Sequence, residues 1–253
     1  MANLFTNKTA LVTGATRGIG RAIASMLAQE GAQVAICGRT QSSVDQATQA
    51  LAAESAGKVK GKAADVRVYA EVQDLFRFID AEFGALDILI NNAGVGVFRN
   101  VADLSVEDWQ FTIDTNLNGV FHCCREALSR FRAKGGGQIV NISSLAGKNP
   151  FAGGAAYNAS KFALTGFSEA VMLDQRNQNV RVSYIMPGSV ATEFGAQARI
   201  RSNASAGSTA ESASDESWKI APEDIADIVR LTLALPERTL ISRVEVRPSR
   251  PKR

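Results

Sequence analysis

The sequence predicts a doubly wound α/β fold: a parallel sheet of seven strands with helices on both faces. Three observations carry this prediction. Short apolar stretches alternate with longer helical ones from end to end. Several short stretches are largely apolar throughout, such as Leu86-Asp87-Ile88-Leu89-Ile90 and Val180-Arg181-Val182-Ser183-Tyr184-Ile185. That pattern suits strands covered on both faces. The connections are long enough for helical crossovers, which run right-handed and keep the strands parallel.

In order, strands are expected near 9–13, 33–38, 58–64, 86–91, 137–143, 180–186 and 240–246. Helices are expected near 18–30, 41–56, 69–83, 105–133, 156–177 and 222–235. Thr9 to Thr13 form the first strand, and Gly18 opens the first helix after a glycine-rich turn. Gly195 to Lys219 is rich in Ser and Ala and poor in large apolar residues. A long unpatterned stretch after the sixth strand, at the carboxyl edge of the sheet, reads as a lid over a ligand or as a partly disordered segment. No domain break or repeat is visible, so residues 1–253 read as one Rossmann-type domain.

The bulk composition excludes several function classes. With 28 basic and 25 acidic side chains, a net charge of +3 is too even for a nucleic-acid binder. The basic end, Arg247 to Arg253, reads as a solvated tail. No signal peptide or lipidation motif is visible, and no apolar run approaches the ~18 residues of a membrane span. Cys37, Cys123 and Cys124 read as buried free thiols in a reducing compartment, which points to the cytoplasm. His122 is the only histidine, so no histidine-based metal site is expected, and it is given no role.

The first strand–helix junction carries Gly14, Gly18 and Gly20. They supply a tight turn, a bare backbone for close approach, and a helix N-terminus aimed at phosphate. At this place in an alternating pattern, such a turn predicts a dinucleotide site. The second strand ends Ala35-Ile36-Cys37-Gly38-Arg39-Thr40, without the acid that holds a ribose 2′-hydroxyl in NAD binders. Arg39 and Arg17 can pair instead with a 2′-phosphate, so NADP(H) is the expected cofactor. Asp65, ahead of Val66 at the end of the third strand, is either an acceptor for the adenine amino group or a helix cap. Asn91-Asn92-Ala93-Gly94 ends the fourth strand, where small polar residues let backbone approach the cofactor. Asn91 is the candidate brace for neighbouring loops.

Tyr157 and Lys161 stand four apart, one helical turn, and so share a face. A free tyrosine titrates near ~10. A cation on the same face favours the phenolate and is expected to pull that value toward the working range.

These residues together resemble the short-chain dehydrogenase/reductase family. The resemblance rests on Thr13 to Gly20, Asn91-Asn92-Ala93-Gly94, Asn116, Ser143-Ser144, Tyr157-x-x-x-Lys161 and Pro187-Gly188, in the family's order and spacing. It implies a catalytic tetrad of Asn116, Ser144, Tyr157 and Lys161. Tyr157 would be the general acid in reduction. Lys161 would lower its pKa and bind the nicotinamide ribose, and Ser144 would polarise the substrate carbonyl. Ser143 competes for that last role, but Ser144 has the family's thirteen-residue spacing to the tyrosine. Asn116 would break its helix locally and hold a proton-relaying water.

Cofactor contacts are implied at Gly14, Thr16, Arg17, Gly18, Ile19, Gly20, Arg39, Asp65, Val66, Asn92, Ala93, Gly94, Tyr157, Lys161, Pro187, Gly188, Val190 and Thr192. Thr192 would take the carboxamide. The implied activity is NADPH-dependent reduction of a carbonyl to an alcohol, or the same reaction run as an oxidation; a cofactor-sensing module is the reading from another class. In look the chain is similar to 3-oxoacyl-carrier-protein reductases and 3-hydroxy acid dehydrogenases. It ends Leu240-Ile241-Ser242-Arg243-Val244-Glu245-Val246-Arg247-Pro248, without the glycine pair usual in the former.

Phe98, Phe151 and Phe194, together with the 195–219 segment, are candidate pocket walls. Apolar residues on more than one face of the long helices, with Phe162, Leu164, Phe167, Val171 and Met172 as examples, predict a homodimer or homotetramer.

Overall fold

The computed structural model describes residues 3–55, 57–194 and 216–251. Its strands are β1 (Thr9–Thr13), β2 (Gln33–Gly38), β3 (Val59–Ala63), β4 (Ile88–Asn91), β5 (Gly137–Ile142), β6 (Val180–Pro187) and β7 (Arg243–Val246). Its helices are α1 (Gly18–Gln29), α2 (Gln41–Glu54), α3 (Tyr69–Phe83), α4 (Val106–Ile113), α5 (Gly119–Lys134), α6 (Ala155–Gln175) and α7 (Pro222–Ala234). The sheet order is β3-β2-β1-β4-β5-β6-β7, and every neighbouring pair is parallel. The winding direction therefore reverses between β1 and β4, and a crevice opens at the carboxyl ends of those strands.

Strand alternation explains the apolar runs. Ala10, Val12, Val34, Ile36, Ile88 and Ile90 join one core with Ile23 and Leu27 of α1, Val44 and Leu51 of α2, and Val229 of α7. Leu11, Ala35, Cys37 and Leu89 join the opposite core with Phe76 of α3, Phe131 of α5 and Leu164 of α6. Both faces need apolar side chains, so polar alternation disappears.

The stretch expected as one helix over 105–133 is three pieces. Between α4 and α5 the chain widens into a π turn at Asp114–Asn118. One extra residue in a turn redirects the side chains that follow, and such bulges mark functional positions. Here it turns Asn116 inward, where it is fully buried. The last strand starts at Arg243 rather than 240, although the Tyr184 N–H still reaches Ser242 O at 3.0 Å. Most of the segment read as a lid, residues 195–215, lies outside the described residues. After it, Ile220 N–H donates to Ser189 O and Ala191 N–H to Ile220 O, at 3.0 and 2.9 Å.

Among the described residues no helix is long and apolar enough to cross a membrane, and no His, Cys, Asp or Glu cluster could hold a metal ion. Cys37, Cys123 and Cys124 are buried free thiols.

Candidate active site

The glycine turn is shaped by contacts that a side chain would destroy. Gly14 adopts φ +63°, and a Cβ there would lie 2.8 Å from Ala93 Cα. At Gly20 a Cβ would lie 2.3 Å from Asn92 Nδ2 and 2.5 Å from Gly14 O. Asn92 fastens the turn: its Nδ2 donates to Thr13 O and Gly14 O at 2.9 and 3.0 Å. Thr13 Oγ1 accepts from the backbone N–H groups of Asn92 and Ala93, both at 3.0 Å.

The loop-bracing residue is thus Asn92, not Asn91. Alternation turns Asn91 into the core, where its Nδ2 donates to Asn141 Oδ1 at 2.9 Å. Across the cleft, a Cβ on Gly18 would sit 3.2 Å from Thr192 Cγ2, so the loop after β6 closes against the glycine turn.

Gly14, Thr16, Arg17, Gly18, Ile19, Arg39, Asp65, Val66, Asn92, Ala93, Gly94, Tyr157, Lys161, Pro187, Gly188, Val190 and Thr192 all line one cavity of about 870 Å³. Gly20 does not; it supports the turn from behind. Arg17 and Arg39 are exposed on the cavity wall, on the loops after β1 and β2. Asp65 lies beside them but does not cap α3, whose N-cap is Val68. Its carboxylate accepts from the Arg67 N–H at 3.0 Å and from Arg67 Nε at 2.9 Å. The Arg67 hydrogen bond holds that carboxyl below its ordinary value. Val66 O takes His122 Nδ1 at 2.9 Å, so the single histidine packs against the loop.

Of the four expected catalytic residues, Ser144, Tyr157 and Lys161 line the other end of the cavity, and the buried Asn116 is not among its lining residues. Ser144 follows β5 in extended backbone, and its Oγ accepts from the Ala146 N–H at 3.1 Å. A side-chain hydrogen bond links Ser144 to Tyr157. Lys161, one turn further along α6, is buried and donates through Nζ to Ile142 O at 3.0 Å. A Cβ on Gly94 would lie 3.4 Å from Asn116 Oδ1 and 3.8 Å from Lys161 Nζ, so the amide and the amine flank the same spot. Asn116 Oδ1 accepts from the Val95 N–H at 2.8 Å, while its Nδ2 donates to Val95 O at 2.9 Å and Ser160 Oγ at 3.0 Å.

One electrostatic expectation is corrected. Lys161 does not pull the Tyr157 phenol down: burial pushes it above its usual value, opposed by the Ser144 hydrogen bond. The reason is symmetric. Burial also disfavours the lysine cation, bringing Lys161 down from 10.5 to about 8, and its Nζ stands 5.8 Å from the tyrosine ring centroid. Ser143, the competitor of Ser144, has a buried hydroxyl with no hydrogen-bond partner.

Phe98, Phe151 and Phe194 line the cavity as expected. Trp218 and Lys219, at the described end of the segment read as a lid, line it too. The basic end is not only a solvated tail: Arg247, Pro248 and Pro251 reach the cavity wall. Their place follows from β7 pairing with β6, because Gly188 N–H donates to Val246 O at 2.8 Å and draws the following residues to the cleft.

A family model described as short chain dehydrogenase matches residues 8–203. A 3beta-hydroxysteroid dehydrogenase of Mediterraneibacter gnavus is 42% identical over 189 residues, covering 74% of this chain and 68% of that protein. A 3alpha-hydroxysteroid dehydrogenase of the same organism is 35% identical over 195 residues, covering 77% and 78%. Among solved structures, a metagenomic short-chain oxidoreductase in complex with NADP is 34% identical, with TM-score 0.82 over 97% of this chain and 99% of that one. An actinorhodin polyketide ketoreductase variant with NADPH is 30% identical, with TM-score 0.86 over 96% and 98%. Sheet order, cleft and sequence agree over most of the length: the chain belongs to the short-chain dehydrogenase family.

Proposed function

We propose that this protein is an NADPH-dependent reductase that converts a ketone to a secondary alcohol, with Tyr157 as the proton donor. The observation that carries the reading is the pairing of Ser144 with Tyr157 at one end of a cleft whose other end is a bare glycine turn flanked by Arg17 and Arg39. The cleft fits a dinucleotide phosphate, because Gly14 and Gly18 line it in positive-φ backbone that leads into the N-terminus of α1. The relatives solved with NADP and NADPH support the same choice. When bound, the nicotinamide supplies the hydride.

The chain's own residues do the rest. Gly14, Thr16, Gly18, Ile19, Ala93 and Gly94 would hold the phosphates and riboses. Arg17 and Arg39 would hold the 2′-phosphate, with Asp65 and Val66 left for the adenine. Pro187, Gly188, Val190 and Thr192 would hold the nicotinamide. Ser144 donates to the substrate oxygen, and Tyr157 delivers its proton to that oxygen as negative charge develops. A phenol kept above its usual value stays protonated at neutral pH, which suits an acid in reduction. Lys161 and Asn116 frame the route by which that proton is replaced.

An NADP(H) site favours reduction where that pool is kept reduced. The buried reduced thiols fit a cytoplasmic setting. Exposed Phe121, Phe162 and Leu173 on α5 and α6 support assembly as a homodimer or homotetramer, while Leu164 and Val171 belong to the core.

The test is NADPH oxidation on a panel of ketones with Tyr157→Phe beside the parent. The expected loss of turnover is about 10²- to 10⁴-fold with NADPH binding kept. Turnover retained in Tyr157→Phe would refute the assignment, and NADPH binding without turnover by the parent on any ketone would favour a sensing role.

A further inference from the structure

We infer that the pocket beside Tyr157 selects a ketone borne on a rigid, apolar ring system over one borne on a straight chain; this rests on the ketone-reductase reading above. Its wall is a set of interlocked rings. Phe98 stands edge-on to Phe151 at 5.4 Å and 75°, and edge-on to Tyr157 at 5.6 Å and 86°. Phe194 meets Tyr157 from another side at 5.8 Å. The three phenylalanines therefore stand around the Tyr157 ring, and all of them line the cavity.

Two glycines make room for this wall. A Cβ on Gly154 would lie 2.6 Å from two carbons of the Phe151 ring. At Gly96 a Cβ would lie 3.0 Å from both Phe98 Cζ and Phe194 Cζ. The loops that carry these rings are pinned. Asn158, the residue after Tyr157, donates through Nδ2 to Phe151 O at 2.9 Å. A backbone bridge joins Arg99 to Gly154.

The chemistry of the wall is one-sided. The lining residues of segments 92–98 and 142–151 include no charged side chain, and the charged lining residues Glu193, Lys219 and Arg247 lie on the segments after β6 and β7. No methionine lines the cavity among the described residues, and methionine is the side chain that lets a pocket reshape around different chains. Flat fixed aromatic walls bind a flat rigid partner with little ordering cost, whereas a straight chain must lose the freedom of each rotatable bond.

The experiment compares kcat/KM with NADPH for fused-ring ketones (tetralone and a ketosteroid) against a straight-chain methyl ketone of matched carbon number and a linear 3-oxoacyl thioester. The parent is expected to prefer the fused rings by about 10- to 100-fold, the scale that shape and burial of a few carbons can deliver. Phe151→Ala should erase most of that preference through KM. Gly154→Ala, which displaces the same ring without deleting it, should do likewise. NADPH binding measured on each variant reports that it is folded. Equal or better turnover of the linear substrates overturns the inference and leaves the reductase reading standing. An intact ring preference in both variants overturns the assigned wall. NADPH binding with no turnover on any ketone overturns both readings.

Discussion

The Asn116 amide donates to the Ser160 hydroxyl across 3.0 Å, and Ser160 in turn donates to the Tyr157 carbonyl oxygen at 2.8 Å. Both side chains have no exposed surface. This relay fastens the π turn to the first turn of α6, so hydrogen bonds join the loop at Val95, the bulge and the Tyr157 backbone.

Ser160→Ala removes the shared hydroxyl and leaves one N–H of Asn116 without its partner. A buried polar group left unpaired costs about 1–3 kcal/mol, so urea unfolding should show a loss of that size. Because Tyr157 is then less firmly held, kcat should fall by roughly tenfold with KM for NADPH nearly constant. A drop in stability with kcat untouched would reduce Ser160 to a packing role.

The buried Lys161 amine makes stability depend on pH. Its value in the folded chain is about 8 against 10.5 for a free lysine, so the unfolded chain binds the extra proton between those limits. Below about pH 8 both states are charged, and the folded state bears the full cost of burying the cation. As pH rises from about 8 to 10.5 that cost is relieved. Lys161→Met should therefore be inactive yet more stable than the parent at pH 7, by at most about 3 kcal/mol. The gain should shrink across the pH 8–10.5 window. Thermal melts at several pH values would check this; a difference independent of pH would contradict it.

Arg17 and Arg39 are the cationic pair on the loops after β1 and β2. Hydrogen bonds to a charged partner are worth about 1.5–3 kcal/mol each. Replacing either by Ala should raise KM for NADPH by roughly 10- to 100-fold while KM for NADH barely moves. Arg39→Asp should go further and tilt the preference to NADH, because a carboxylate repels the 2′-phosphate and accepts from a 2′-hydroxyl. Steady-state kinetics with both cofactors decide this.

Exposed apolar side chains on α5 and α6 make assembly testable. Phe121 and Phe162 are each 45% exposed, and Leu173 is 57% exposed. A charge buried between subunits without a partner is strongly unfavourable. Phe162→Asp should therefore lower the mass seen by size-exclusion with light scattering. A parent that already runs as one chain at micromolar concentration would remove the basis for the proposed interface.

The three thiols should be silent to alkylating and disulfide reagents. Burial pushes Cys37 and Cys124 up to about 12 and raises Cys123 well above its ordinary value, so thiolate is scarce and access is closed. A thiol assay should find none in the native protein and three after unfolding. Rapid labelling in native buffer would mean that the core opens readily.

Local chemistry was legible in the sequence. Apolar runs announced β4 and β6 because strands buried on both faces cannot afford polar alternation. Gly14 and Gly18 announced a tight turn because only a bare backbone takes positive φ so close to a neighbouring segment. Tyr157 and Lys161 announced a shared helical face because the helical period is fixed. What depended on distant segments meeting was decided by the tertiary structure alone. Sequence does not fix which asparagine in a pair faces the core; the register of β4 against β5 sent Asn91 to Asn141 and left Asn92 to brace Thr13. The direction of the Tyr157 shift depended on burial, which adjacent residues do not report, and desolvation outweighed the Ser144 hydrogen bond. Arg247 and Pro251 reach the cavity because β7 pairs beside β6 and carries the following residues to the cleft, a consequence of sheet order rather than of any local pattern.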